Sequence, residues 1–265
     1  MLKAQNLSVS YGKKMVLNDI SFSVKSQEIV SILGANGSGK STLLKSICGS
    51  LPYEGEITVD SQNVKRLSAK ERAKVFALVP QHNFAPFSFL AFDMALMGRF
   101  HRSPLSLDYS KADKDAASAA LETVGAIGFK NRIFNTLSGG ERQLVIIARA
   151  LAQEAKIIVL DEPATGLDIG AQQRILTLLE NLRSQGKTII QTTHNPDHAL
   201  NVGDYVLWID GSKAIAFGKP LEIITSERIK SIYGVKSELH KHACGKTFLL
   251  TIESIDASRS DRAYK

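Results

Sequence analysis

Cysteine is nearly absent: Cys48 and Cys244 are the two in 265 residues. They stand far apart and follow no metal-ligand spacing, so no disulfide framework or cysteine zinc site is expected and a reducing compartment fits best. No apolar run approaches the roughly 18 residues that span a bilayer. There is no internal repeat, no low-complexity block and no sustained heptad pattern, which excludes solenoid, collagen-like and long coiled-coil chains. The opening residues, Met1 to Asn6, lack the apolar core of a signal peptide, and a chain made and kept in the cytosol is expected.

Basic residues outnumber acidic ones by 33 to 26, a formal net charge of +7. The excess favours an anionic partner: a nucleotide, a nucleic acid or a membrane surface. The basic residues are scattered along the chain, as on an ordinary solvated surface. With 44% hydrophobic and 22% charged residues the composition is that of a globular chain, and the length suffices to bury a full core.

Short apolar runs alternate with helical patterns, which points to an α/β chain. Strands are expected at Ile29 to Leu33, Val75 to Val79, Ile157 to Leu160 and Thr188 to Thr192. Tyr205 to Ile209 and Lys213 to Phe217 flank Asp210-Gly211, which reads as a hairpin turn. Gln172 to Gln185 has apolar residues at Ile175, Leu178, Leu179 and Leu182, a helical spacing that Gly186 ends. A second helix is read over Lys111 to Val124. Between about Gln81 and Glu154 helices and loops are expected without a strand, as in a helical insert. Ala257 to Lys265 is polar, and fraying is expected there.

Three segments carry chemistry. Gly34-Ala35-Asn36-Gly37-Ser38-Gly39-Lys40-Ser41 fits G-x-x-x-x-G-K-[ST] after an apolar strand and before a helical pattern. Backbone N–H groups of such a loop surround a phosphate, Lys40 adds a full charge at the outer phosphates, and Ser41 can ligate magnesium. Ile157 to Leu160 runs into Asp161-Glu162-Pro163, a strand end at which an aspartate holds magnesium and Glu162 can orient or deprotonate a water. Leu137-Ser138-Gly139-Gly140-Glu141-Arg142-Gln143 opens an apolar helix running to about Ala152. Ser138 and Glu141 have the spacing of a capping box. Two adjacent glycines at a helix start are costly, and they make sense where an anion approaches the backbone closely.

Leu137 to Gln143 resembles the signature of ATP-binding cassette (ABC) ATPases, and it lies in their order, between a phosphate loop and an Asp-Glu-Pro strand end. The resemblance covers about Leu2 to Val235. Tyr11 resembles the aromatic that stacks on adenine, Gln81 the Q-loop glutamine that contacts magnesium and senses the γ-phosphate, Ala164-Thr165-Gly166-Leu167-Asp168 the D-loop, and His194 the switch histidine. The D-loop departs slightly from the frequent Pro-Thr-Ser, but Asp168 is kept.

What the resemblance implies is a phosphate-loop (RecA-like) α/β ATPase core with an N-terminal antiparallel β-subdomain and a helical subdomain inserted at about 82–155. The ATPase domain would span 1–235, and 236–265 would be an extension. ATP and Mg2+ are the implied cofactors. Glu162, His194 and Lys40 would be catalytic. Tyr11, Gly34, Asn36, Gly37, Ser38, Gly39, Lys40, Ser41, Thr42, Gln81, Ser138, Gly139, Gly140, Glu141 and Asp168 would bind nucleotide, and Ser41, Gln81 and Asp161 the metal. Two copies would face head to tail, each ATP lying between one copy's phosphate loop and the other's Ser138-Gly139-Gly140.

Met97-Gly98-Arg99, Thr193 to Ala199 and Glu222 to Val235 resemble importers of iron chelates, haem and cobalamin; molybdate and zinc importers share parts of these motifs. One cassette without a membrane span fits a separate importer subunit at the cytoplasmic face of the inner membrane. Its expected partners are transmembrane permease subunits, a second copy and, indirectly, a substrate-binding protein. A soluble cassette acting on nucleic acid would suit the charge, but it usually carries two cassettes, a coiled coil or zinc insertions; no nucleic-acid partner is expected. A non-catalytic nucleotide switch would not need Glu162 and His194. Phe84, Phe87, Phe89, Phe92 and Phe100 cluster after Gln81, and 84–102 is expected to line a groove for a short permease helix. His240, His242 and Cys244 alternate as on one strand face, but two histidines and a thiol without a fourth ligand are more often incidental.

Overall fold

The computed structural model describes residues 1–81, 87–102, 109–243 and 245–254. The chain starts with strands β1 (Leu2–Tyr11) and β2 (Lys14–Val24), followed by β3 (Ile29–Leu33) and helix α1 (Lys40–Ile47). β4 (Glu54–Val59), β5 (Gln62–Asn63), α2 (Ala69–Val75) and β6 (Phe76–Val79) lead to three helices, α3 (Ala91–Leu96), α4 (Lys111–Thr123) and α5 (Gly139–Ala152). Then β7 (Ile157–Leu160), α6 (Ile169–Ser184), β8 (Thr188–Thr193), α7 (Pro196–Val202), β9 (Tyr205–Asp210) and β10 (Lys213–Gly218) complete the main sheet. α8 (Pro220–Ile223), α9 (Ser226–Tyr233), β11 (Val235–Lys241) and β12 (Thr247–Ser254) close the described chain.

Every residue of β3, β7 and β8 is buried, as in a sheet covered on both faces; β7 is wholly apolar, β3 carries Ser31, and β8 carries Thr188, Gln191, Thr192 and Thr193. The polar Gln191 is tolerated there because its Nε2 donates to Ser31 Oγ at 3.1 Å. The six-stranded sheet has the order β10-β9-β3-β8-β7-β6. β9, β3, β8, β7 and β6 are parallel, and only β10 runs against its neighbour. The register sets Leu33 opposite Thr193, Leu160 opposite Gln191 and Val79 opposite Leu160. The segments after these strands therefore leave along one edge, where ligands bind in open parallel sheets. A separate four-stranded antiparallel sheet, β2-β1-β4-β5, forms the expected N-terminal β-subdomain.

α3, α4 and α5 form a helical layer whose core includes Met94, Leu121, Phe134 and Ile147. Between Gln81 and Glu154 the described residues hold no named strand beyond the isolated bridge Leu90–Ile133. Arg99 fastens the layer: it pairs with Asp113 at 2.9 Å and Glu154 at 2.8 Å, and donates to Ala152 O at 2.6 Å. Gly98 has to be a glycine, since a Cβ there would lie 2.1 Å from Arg149 O on α5.

Several boundaries differ from the sequence reading. Val75 is the last residue of α2 and not the first of a strand; the Ser68–Glu71 capping box starts that helix. α6 begins at Ile169, ahead of Gln172, because Asp168 caps it by accepting from Ala171 N at 2.8 Å. The β9–β10 turn is Gly211-Ser212, both at positive φ (53° and 74°), while Asp210 still pairs with Lys213; a type I′ turn needs that geometry at both central residues. Phe89 and Phe92 are partly buried and pack against the core of the helical layer, whereas Phe87 is 67% exposed and Phe100 55%. Phe84 lies outside the described residues.

Candidate active site

β3 delivers the phosphate loop to the sheet edge. A Cβ on Gly34 would sit 2.5 Å from Ile209 O, so the loop can leave β3 only as glycine. Gly39 takes φ 99° at the start of α1, and its Cβ would meet Leu17 at 2.8 Å. Lys40 follows, with Nζ donating to Gly34 O at 3.0 Å and Ala35 O at 3.1 Å. Ser38 Oγ is buried with no hydrogen-bond partner, a costly state unless an acceptor such as a phosphate oxygen satisfies it.

Glu162 is the meeting point of the cleft. Its backbone is left-handed, with φ 48°, and its N–H donates to Thr192 Oγ1 at 2.8 Å. Oε1 lies 3.2 Å from Lys40 Nζ. Oε2 accepts from Gln81 Nε2 at 3.3 Å and Thr165 Oγ1 at 3.0 Å, and lies 3.0 Å from His194 Nδ1. Three separate segments, and Thr165 from the turn that Glu162 itself opens, thus converge on one carboxylate. Burial opposes its ionisation, but Lys40, the Thr165 hydroxyl and His194 outweigh burial and hold it below the ordinary carboxylate value. Asp161 is buried beside it and accepts from Thr192 Oγ1 at 2.7 Å.

These groups border a cleft of about 460 Å³ lined by Tyr11, Asn36, Gly37, Gly39, Lys40, Ser41, Thr42, Gln81, Glu162 and His194, together with Val16 and Thr165. Gly34, Ser38 and Asp161 are buried and do not line it. Thr165 and Thr192 are the contributors that sequence reasoning missed. Thr192 had a signal: it follows Gln191, which pairs with Leu160, and so falls beside Asp161.

The remaining candidates form a second group. Ser138 caps α5, accepting from Glu141 N at 3.3 Å while Glu141 Oε2 accepts from Ser138 N at 2.7 Å. The Ser138 N–H, its hydroxyl and Arg132 hold the Glu141 carboxyl below its usual range against the opposing effect of burial. A Cβ on Gly140 would lie 2.9 Å from Ala171 on α6, so internal packing already requires that glycine. Gly139 makes only ordinary contact with Leu167. Ser138, Gly139, Gly140, Glu141 and Asp168 do not line the Lys40 cleft. His240 lies on β11 beside Glu238, and His242 lies beyond its end. Cys244 is outside the described residues, and no metal-holding cluster of His, Cys, Asp or Glu occurs among those described.

A parallel sheet bearing a phosphate loop, an Asp-Glu strand end and a histidine against that glutamate defines a phosphate-loop nucleotide hydrolase. The ABC transporter family model matches residues 17–165. The chain is 37% identical to the manganese transport system ATP-binding protein MntB of Bacillus subtilis, over 88% of this chain and 92% of that protein. It is 33% identical to the hemin import ATP-binding protein HmuV of Vibrio parahaemolyticus, over 91% and 94%. A solved structure described as an inward-facing conformation of a putative metal-chelate type ABC transporter superposes with a TM-score of 0.84 at 30% identity, covering 95% of this chain and 97% of that one. The chain belongs to the ABC transporter family, and it is an ATP-binding, ATP-hydrolysing cassette.

Proposed function

We propose that this cassette powers import of an iron chelate, haem or cobalamin through a separate membrane permease, on whose cytoplasmic side it sits. The observation that carries the catalytic half is the convergence of Lys40, Gln81, Thr165 and His194 on Glu162. Glu162 takes the proton of the attacking water, and His194 orients Glu162 and the γ-phosphate. Lys40 and the loop N–H groups hold the phosphates, with Ser38 Oγ supplied an acceptor, and Tyr11 at the cleft rim stacks on adenine. Ser41, Gln81 and Asp161 offer a hydroxyl, an amide oxygen and a carboxylate, a hard-oxygen set that suits magnesium. Magnesium held there neutralises phosphate charge. No helix among the described residues is long and apolar enough to cross a membrane, which accords with a peripheral subunit. The ATPase unit spans 1–235, with 236–265 as an extension.

The second copy is required because the Ser138–Glu141 helix start stands apart from its own cleft. A helix N-terminus presents N–H groups and partial positive charge to an anion, and here that anion is the partner's nucleotide. The permease seat is a groove of about 410 Å³ between α2, β6 and the helical layer, lined by Cys48, Arg72, Leu78, Met97, Gly98 and Arg149. It adjoins the chain that leads from β6 to Gln81.

Glu162→Gln tests the reading. The amide keeps the shape but cannot take a proton, so turnover falls by about a hundredfold or more, and the ATP-bound protein accumulates as a dimer on gel filtration. A variant that turns over normally, or stays monomeric at saturating ATP, overturns it. Cargo is tested by reconstituting the cassette with its permease and comparing uptake of a ferric chelate, haem, cobalamin and free manganese ion. Manganese is included because of the MntB likeness.

A further inference from the structure

His194 is held from outside the cleft. It joins β8 to α7, and two residues of α7 bond to β12, the last described strand. Asp197 Oδ1 accepts from Leu249 N at 2.7 Å, and Asn201 Nδ2 donates to Thr247 O at 3.2 Å. From α9, the Tyr233 hydroxyl donates to His194 O at 3.4 Å. The side chains of Tyr233 and Leu249 pack on an apolar cluster that also holds Ala199 of α7 and Leu33, the residue before the phosphate loop.

Each side of this junction is weak alone. α7 has seven residues, and helices that short are marginal without tertiary support. β11 and β12 form a two-stranded sheet, which is marginal unless it packs on something else. Ala199 and Val202 seat α7 on the apolar core, and the two bonds to β12 add its polar anchor. The residues at the junction are not part of the cleft: Asp197, Asn201 and Leu249 do not line it.

We infer that the C-terminal hairpin positions the switch histidine: Asp197 and Asn201 anchor α7 to β12 and so keep His194 Nδ1 at Glu162. The inference rests on the role given above to His194. It makes Asp197 and Asn201 positioning residues for hydrolysis and gives the 236–254 segment a task in turnover.

The test uses the full chain. Asp197→Ala is expected to lower kcat about tenfold or more, since small displacements of catalytic groups are costly. KM for ATP and the affinity for a fluorescent ATP analogue should stay within about twofold, because the phosphate loop is untouched. Asp197→Asn keeps an oxygen acceptor for the Leu249 N–H and should restore most of the rate. In single-turnover assays on a His194→Ala background, Asp197→Ala should add no further loss, because the residue it positions is gone. If Asp197→Ala does not fold, Asn201→Ala reads the same junction through its other hydrogen bond.

Normal kcat in Asp197→Ala, or equal fractional losses with and without His194, overturns the inference. So does a parallel collapse of nucleotide affinity. If His194→Ala alone turns over normally, the reading of His194 falls first. If His194→Ala is inactive while both junction variants are normal, only the positioning role falls.

Discussion

Lys40 and Glu162 form an ion pair, Nζ to Oε1 3.2 Å, with side chains only 5% and 8% exposed. It ties the start of α1 to the end of β7, across the intervening β8. The lysine that would grip the outer phosphates is thus also the cation that stabilises the charge of the proposed base.

Lys40→Ala should therefore have two effects. Hydrolysis falls by at least about a hundredfold with a large loss of nucleotide affinity, because the full charge at the phosphates is gone. Separately, the Glu162 carboxyl titrates higher than in the parent protein, because the cation that lowered it is removed. Turnover assays check the first, and carboxyl titration by NMR the second. A downward shift would contradict the pairing.

The depressed Glu162 value also sets a pH window for stability. Such a carboxylate contributes stability that is fully present above its unfolded value, about 4.3, and is lost as pH falls through the lower folded value. The gap in thermal midpoint between wild type and Glu162→Gln should be widest near neutral pH and narrow as pH falls below the unfolded carboxylate value, about 4.3. A gap that widens on acidification would reverse the sign.

Ser138→Arg should leave ATP binding to the isolated subunit intact and block turnover. The residue lies outside its own cleft, and a bulky cation there obstructs the partner's nucleotide. Loss of the cap also costs about 1 kcal/mol of stability, which a thermal melt separates from the kinetic effect. Equal loss of monomer binding and turnover would refute the division between the two copies.

Met97→Ser and Phe100→Ser should uncouple transport while leaving the ATPase of the free subunit within about twofold: Met97 lines the proposed seat, Phe100 is exposed three residues on, and neither lines the nucleotide cleft. Uptake and ATPase assays in the same proteoliposomes check this. Normal coupled uptake would place the permease contact elsewhere.

What was legible in the sequence follows from how local its cause is. β7 shows as an unbroken apolar run, and β3 as a run interrupted by Ser31 alone, because both faces are buried. The Ser138–Glu141 capping box shows because its reciprocal bonds span three residues. β1, β2 and β4 were not legible strand by strand. Their buried positions are interrupted by register shifts, at Leu7 and Val9 for example, which break a clean alternation. Gly140 has a second reason to be glycine that the sequence did not show. Two glycines suggest an approaching anion, and Ala171, 31 residues onward, demands one of them for packing as well. Thr192 acts across strands, so its role needed the sheet register, whereas Thr165 acts within the turn after β7, three residues from Glu162. The hairpin of β11 and β12 left no two-residue turn signal, and its exposed residues give little periodicity.

The order of the main sheet has a mechanical consequence. Four of its strands bear the cleft groups, and three of them, β3, β8 and β7, are braced by neighbours on both sides. Lys40, His194 and Glu162 are thus mounted on a stiff frame. β6 stands at the rim with a neighbour on one side only, and Gln81 follows it where the chain departs for the helical layer. The least braced of the four mountings is the one that leads toward the proposed permease seat. A displacement of the helical layer can reach Gln81 as a swing of the rim, without breaking a strand pairing among the other three.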